Sequence, residues 1–228
     1  MVSLIERLVG VRRSDRVLDV GCGLGRIAWP LARRLGRRGS YTGLDAAGVY
    51  IDWCRSNLAL DPRRFTFHHA DLRSAAYNVQ GTIRPEEFTF PWADRSFDLT
   101  VATSIFTHLL PAAVERYLRE IARTLKPGGR LFSSFFLLDG EGQAAIASGR
   151  TYPIFTTPIE HGIVHDPLVP EDGVAYEQDW IFGLFKEAGL EVTAVHSGHW
   201  KKWEEPERPT YQDLVLAVRP AQKRRWWG

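Results

Sequence analysis

Alternating glycines and two acidic residues in the first third of the chain have the spacing of a ligand cradle. Asp19, Gly21, Gly23 and Gly25 fall within Val17-Leu-Asp-Val-Gly-Cys-Gly-Leu-Gly-Arg-Ile-Ala28, and Asp45 follows 24 residues after Gly21. Glycine lets the backbone approach a bound molecule closely, and the amides of a strand–turn–helix bend face it. An acidic residue about 20 residues further on is placed to accept both hydroxyls of a ribose. Each hydrogen bond to such a charged group contributes ~1.5–3 kcal/mol. The pattern therefore predicts a site for a nucleoside-bearing cofactor. Asp45 has a second reading, as N-cap of the helix that follows it.

Proton transfer near neutral pH points to histidine. The candidate bases are His108, His161 and His165, the last with Asp166 beside it; His199, with Trp200, belongs to the loop between the last two strands. Adjacent His68 and His69 suggest a metal, but neighbours on an extended chain point to opposite faces. No ligand spacing around Asp139, Glu141 or Asp166 asks for a metal either. Cys22, between two glycines, reads as a small apolar filler rather than a nucleophile.

Apolar periodicity supplies the elements that hold these groups. A short helix is predicted over 3–9. Strands are predicted at 16–20, 40–44, 64–67, 97–103, 130–136, 190–196 and 211–218, and helices at 25–36, 46–58, 111–125 and 174–190. The alternation predicts an α/β fold with a doubly wound, mostly parallel seven-stranded sheet. Ligands of such sheets bind beyond the carboxyl ends of the strands. The long connection 73–96 leaves from that edge, with Tyr77 and Trp92 as candidate pocket walls or as packing. Residues 137–173, rich in Gly, Pro, Thr and His and including Tyr152, are expected to form a lid over the acceptor after strand 5.

The bulk numbers narrow the class. The chain has 228 residues, 44% hydrophobic and 25% charged, with net charge +2. That is enough for one large domain, here assigned to 1–219, followed by a basic-aromatic tail at 220–228. Setting aside Lys223, Arg224 and Arg225 leaves the body near neutrality, against a broad nucleic-acid footprint. The Arg33, Arg34, Arg37 and Arg38 cluster reads as a solvated helix end favoured by the macrodipole. No apolar stretch reaches the ~20 residues of a membrane span. The first residues lack a signal-peptide layout, and two cysteines imply no disulfide framework. A cytoplasmic monomer or homodimer is expected.

A dinucleotide fingerprint requires glycine or alanine where Arg26 stands. Asp19-Val-Gly21-Cys-Gly23-Leu-Gly25 instead resembles motif I of the class I S-adenosylmethionine (SAM)-dependent methyltransferases. The Phe97-Asp strand followed by Leu125-Lys-Pro-Gly-Gly-Arg-Leu-Phe132 resembles the same family. Ser104-Ile-Phe-Thr-His-Leu and Phe135-Phe-Leu-Leu-Asp139 resemble a bacterial subgroup of small methyltransferases with diverse acceptors. The resemblance covers 14–136 in detail and 174–218 in layout, where it implies a helix, then an antiparallel pair, so that the last strand of the sheet is antiparallel.

It implies SAM as cofactor and S-adenosylhomocysteine as product. The implied cofactor contacts are Asp19, Gly21, Cys22, Gly23, Gly25, Asp45, Ala46, Asp71, Leu72, Thr103 and Ser104. Asp71 would accept from the adenine amino group, and the Leu72 amide would contact the ring. Related enzymes often carry a histidine at the place of His108 without a catalytic role. Tyr77, Trp92, His108, Tyr152, His199 and Trp200 are expected around a small-molecule acceptor, methylated at oxygen. A carboxylate would need little base help, whereas a hydroxyl would gain ~10²–10⁴ from a placed base. The rivals are a nucleic-acid or protein methyltransferase, a non-catalytic SAM-binding protein and a nicotinamide dehydrogenase.

Overall fold

The computed structural model describes residues 1–75, 77–202, 208 and 210–221. In chain order it contains α1 (Val2–Leu8), β1 (Arg16–Val20), α2 (Ala28–Ala32), β2 (Ser40–Asp45), α3 (Gly48–Asn57), β3 (Phe65–His69), β4 (Phe97–Ala102), α4 (Pro111–Thr124) and β5 (Leu125–Leu138). There follow α5 (Gly140–Ala147), β6 (Thr157–Ile159), β7 (Gly162–Val164), β8 (Val174–Glu177), α6 (Gln178–Glu187), β9 (Glu191–His196) and β10 (Asp213–Val218). The expected 25–36 helix contracts to α2, because the turn continues through left-handed Gly25.

The expected seven strands are present and pair as β3-β2-β1-β4-β5-β10-β9, parallel from β3 to β5 and antiparallel from β5 through β10 to β9. Alternation along each strand sends side chains to both faces. Leu18 and Val20 join one core with Val114, Leu118 and Ile121 of α4 and Phe185 of α6. Val17, Leu99 and Phe132 join another with Ile5 of α1, Leu31 of α2 and Ile51 of α3. Helices therefore cover both faces, and the open edge left to a ligand is the carboxyl end of β1, β2 and β4.

The largest departure lies after β5. That strand runs on through Leu138, and Phe136–Leu138 pair in parallel with β8, which the sequence assigns to the start of a helix. β8 pairs with β7, and β7 with β6, so the sheet has ten strands. The Val174-Ala-Tyr176 run favours a strand, and the helical pattern begins only at Gln178. Much of the expected lid is thereby incorporated into the sheet. α5 starts at an N-cap, Asp139, whose carboxylate accepts the Gly142 N–H at 2.7 Å.

Candidate active site beyond the carboxyl ends of the parallel strands

A cavity opens beyond β1, β2 and β4, at the sheet edge where ligands of such folds bind. Its floor is the first βα turn. Gly21 and Gly23 have left-handed backbones, with φ of 76° and 50°. A Cβ on Gly21 would lie 2.8 Å from the Ile105 side chain, whereas one on Gly23 would meet nothing within 4 Å and would project into open space. Gly23 thus presents bare backbone to the cavity. Gly25 and Cys22 do not line it. Gly25 backs onto Leu58, and the Cys22 thiol packs beside Gly43, with burial pushing its pKa up.

One carboxylate, Asp45, fixes this turn, whereas Asp19 does not line the cavity. Asp45, at the end of β2, accepts the Gly23 N–H at 2.7 Å on Oδ2 and the Ala47 N–H at 2.9 Å on Oδ1. It does not cap α3, whose N-cap is Ala47. Each carboxylate oxygen retains a further lone pair, and Asp45 and Ala46 line the cavity. Asp19 is buried under the turn. Its Oδ2 accepts the Tyr41 hydroxyl at 2.6 Å, while Oδ1 has no hydrogen-bond partner. Burial raises its pKa from 3.8 to about 7. Buried polar atoms are almost always bonded, so a donor-bearing group in the turn would satisfy this oxygen.

One wall is the loop after β3. Leu72 lines the cavity, as do Arg73, Ser74, Tyr77 and Pro85. Asp71 does not line it. Its Oδ1 accepts from Asn78 Nδ2 at 3.0 Å and its Oδ2 from the Thr82 hydroxyl at 2.6 Å, and these bonds hold its pKa down. The carboxylate expected to meet adenine thus ties the loop together. Ser74 Oγ and Ala75 N–H in turn donate to Glu171 Oε2 at 3.0 and 2.7 Å.

The opposite wall follows β4. Thr103, Ser104, Ile105, His108 and Leu109 line it. His108 Nδ1 lies 2.9 Å from the Glu171 carbonyl. A carbonyl only accepts, so Nδ1 carries the proton and Nε2 keeps its lone pair in the neutral ring. The ring meets Tyr77 edge-on at 5.7 Å.

The other expected acceptor residues lie away from this cavity. Trp92 packs edge-on against Phe97 and His68. His161 occupies the turn between β6 and β7 and stacks on Trp180 at 4.7 Å. His165 holds the Ile154 carbonyl through Nδ1 at 2.6 Å, and its acidic neighbour is Asp172, at 3.8 Å, rather than Asp166. Trp200 is wholly buried and donates to Asp213 Oδ2 at 2.8 Å. Tyr152 and His199 both pack on Tyr211. No residue of 137–173 lines the cavity, and the insertion bonds to its walls through Glu171. Sequence reasoning missed Tyr50 and Tyr117, which line it, and Glu171: helical periodicity marks Tyr117 as core, and nothing local marks Tyr50 or Glu171. Among the described residues no group of three metal-ligating side chains occurs, no helix is long and apolar enough to cross a membrane, and the tail from 222 lies outside them.

Residues 17–129 match the sequence profile described as a methyltransferase domain. A tRNA N(3)-cytidine methyltransferase of Danio rerio is 26% identical over 190 residues, covering 82% of this chain and 48% of that one. Methyltransferase GfsG of Streptomyces halstedii is 36% identical over 176 residues, covering 75% of this chain and 56% of that one. The chain thus spans about half the length of these two relatives. A SAM-dependent methyltransferase of Methanosarcina mazei shares the fold, with a TM-score of 0.59 at 20% identity over 93% of this chain and 95% of that one. With the glycine turn, the Asp45 rim and the strand order that carries them, the chain belongs to the class I SAM-dependent methyltransferase family.

Proposed function

We propose that the protein transfers the methyl group of SAM to an oxygen of a small-molecule acceptor, a hydroxyl or a carboxylate. The observation that carries the cofactor half is the bare backbone of Gly23 facing the cavity, its N–H held by Asp45. In this reading Gly21, Gly23 and Asp19 hold the amino-acid end of the cofactor. Asp45 and Ala46 receive the ribose, and Leu72 with Tyr50 flanks the base. Asp71 acts at one remove, by shaping the loop that bears Leu72.

When bound, SAM supplies a methyl on a positively charged sulfur. The chain's task is to hold the acceptor oxygen in line with that methyl and to exclude water, positioning that can supply ~7–11 kcal/mol. For a hydroxyl acceptor, His108 Nε2 is the cavity-wall atom suited to take the proton. Its ring is oriented by the Nδ1 bond to Glu171, as bases commonly are by a second partner.

The Danio rerio relative favours a second reading, a tRNA acceptor. Against it stands the small net charge of +2, since polyanion binding relies on clustered basic side chains. Methyl-labelled SAM, offered with bulk tRNA and with a panel of hydroxylated and carboxylated small molecules, separates the readings. Label is expected in the small-molecule fraction, with little dependence on salt. Label in tRNA, falling steeply as salt rises, would overturn the small-molecule assignment.

A further inference from the structure

A second cavity, of about 670 Å³, adjoins the first. Both are lined by Arg26, Thr103 and Ser104, so they meet where the glycine turn faces the end of β4. Beyond that shared rim the second is walled by Ser134 of β5 and by Tyr211 and Gln212, just ahead of β10.

Its neutral polar groups are bonded to one another. The Ser104 N–H donates to Ser134 Oγ at 2.8 Å, and the Ser104 and Ser134 hydroxyls both donate to Gln212 Oε1, at 3.1 and 2.6 Å. Gln212 Nε2 donates one hydrogen to the Thr107 hydroxyl at 3.2 Å. Tyr211 donates its hydroxyl to the Tyr152 carbonyl, and its ring is packed by Phe136 and His199. The network holds Ser104 at φ 56°, a left-handed conformation costing ~1–3 kcal/mol outside glycine.

Counting donors and acceptors shows what remains for a ligand. A glutamine amide has two N–H donors and one oxygen with two lone pairs; a guanidinium has five donors and no acceptor. Both lone pairs of Gln212 Oε1 are taken, and both serine hydrogens are spent. The second amide hydrogen of Gln212 is left, together with Arg26, which makes no hydrogen bond or ion pair among the described residues. The hydroxyl oxygens of Ser104 and Ser134 keep lone pairs, but the charged side chain that lines the site is the Arg26 guanidinium. That charge suits a carboxylate, which a guanidinium can bind through two parallel bonds, better than a neutral amide or alcohol.

We propose that this second cavity is the acceptor subsite and that it selects a carboxylate-bearing small molecule through Arg26 and Gln212. The proposal rests on the cofactor reading above. A carboxylate oxygen forms the new O–CH₃ bond as the C–S bond breaks, and the bonding pair leaves on sulfur. The products are a methyl ester and S-adenosylhomocysteine, and no proton changes hands. The Ser104–Ser134–Gln212 network keeps the amide facing a fixed direction, and Tyr152 and His199 act by holding Tyr211.

The test is ligand-observed NMR on the full chain saturated with S-adenosylhomocysteine. The probes are matched trios: benzoate, benzamide and benzyl alcohol; hexanoate, hexanamide and hexanol. We expect each acid to bind at least ~10-fold more tightly than its amide and alcohol, as one charge-assisted pair implies. Arg26→Gln should remove that preference, and Gln212→Leu should weaken the acids ~5-fold. Affinity for S-adenosylhomocysteine, by calorimetry, should stay within about twofold in both variants. Acids binding no better than their amides would overturn the proposal. So would an Arg26→Gln variant that loses S-adenosylhomocysteine instead, since Arg26 would then serve the cofactor's own carboxylate. Failure of the unaltered chain to bind S-adenosylhomocysteine would overturn the cofactor reading and this proposal with it, whereas binding without acid preference overturns this proposal alone.

Discussion

The Glu171 carboxylate and the Ser74 hydroxyl, 97 residues apart in sequence, lie 3.0 Å apart and join the segment between β7 and β8 to the adenine-side wall of the cavity. The same carboxylate takes the Ala75 N–H, and the Glu171 carbonyl holds His108 on the opposite wall. One residue thus braces both walls. Glu171→Ala should weaken S-adenosylhomocysteine binding about 3- to 10-fold, mostly through faster release, because the bonds lost are charge-assisted but partly exposed. Glu171→Gln, which keeps an acceptor oxygen, should lose less. Stopped-flow release kinetics check this; equal effects of the two variants would show that the carboxylate is not a brace.

Asp19 should give folding a distinctive pH dependence. Burial raises its pKa from 3.8 to about 7 in the folded chain. The folded state therefore binds more protons than the unfolded state between those values, and stability from this group is present below about 3.8 and lost as pH rises toward 7. Asp19→Asn, which cannot ionise, should escape that loss. The difference in Tm, variant minus wild type, should grow more positive from pH 4.5 to 7.5, and a difference that stays constant with pH would contradict the assignment.

His108 distinguishes the two acceptor chemistries. With a carboxylate acceptor no base is required, so kcat should be flat through the pH range in which histidine titrates, and His108→Gln should act mainly through cofactor affinity. A rate that rises with pH and loses that rise in His108→Gln would instead identify His108 Nε2 as the base for a hydroxyl.

Trp200 belongs to the core and not to the acceptor wall. It is fully buried against Phe136 and Phe155, and the neighbouring Lys201 ammonium pairs with Asp139 and Asp213. Trp200→Ala should lower stability by about 3–5 kcal/mol while the folded fraction keeps its S-adenosylhomocysteine affinity. Denaturant melts and calorimetry on one sample decide it; an affinity loss at unchanged stability would return Trp200 to the site.

The part of the site carried by local chain geometry was legible in the sequence. The strand, the glycine turn and Asp45 lie within 30 residues of one another, and parallel pairing of β1 with β2 brings Asp19 level with Gly43 and puts Asp45 beside the turn. The mostly parallel, doubly wound sheet followed from the alternation of apolar runs, but its strand order did not. What was not legible depends on long-range contacts. Residues 174–177 run straight into a helical pattern, and their strand character is realised by pairing with the overrun of β5 and with β7. Asp71 has the right type and place, but Asn78 and Thr82, in a loop without periodicity, claim its oxygens. His161 and His165 fit a base by pKa, yet stacking on Trp180 and a bond to the Ile154 carbonyl hold them in the hairpin region. Gln212 and Glu171 gain significance only from partners 63 to 108 residues away.

The central claim is that the β1 turn and the Asp45 carboxylate cradle SAM, the turn at its amino-acid end and Asp45 at its ribose. Titration calorimetry of S-adenosylhomocysteine into wild type and Asp45→Ala tests it most directly. The account predicts one site in the wild type and an affinity lower by ~10- to 100-fold in the variant, the loss of hydrogen bonds to a charged acceptor. Equal affinity in the two proteins, or no binding to wild type, would contradict it.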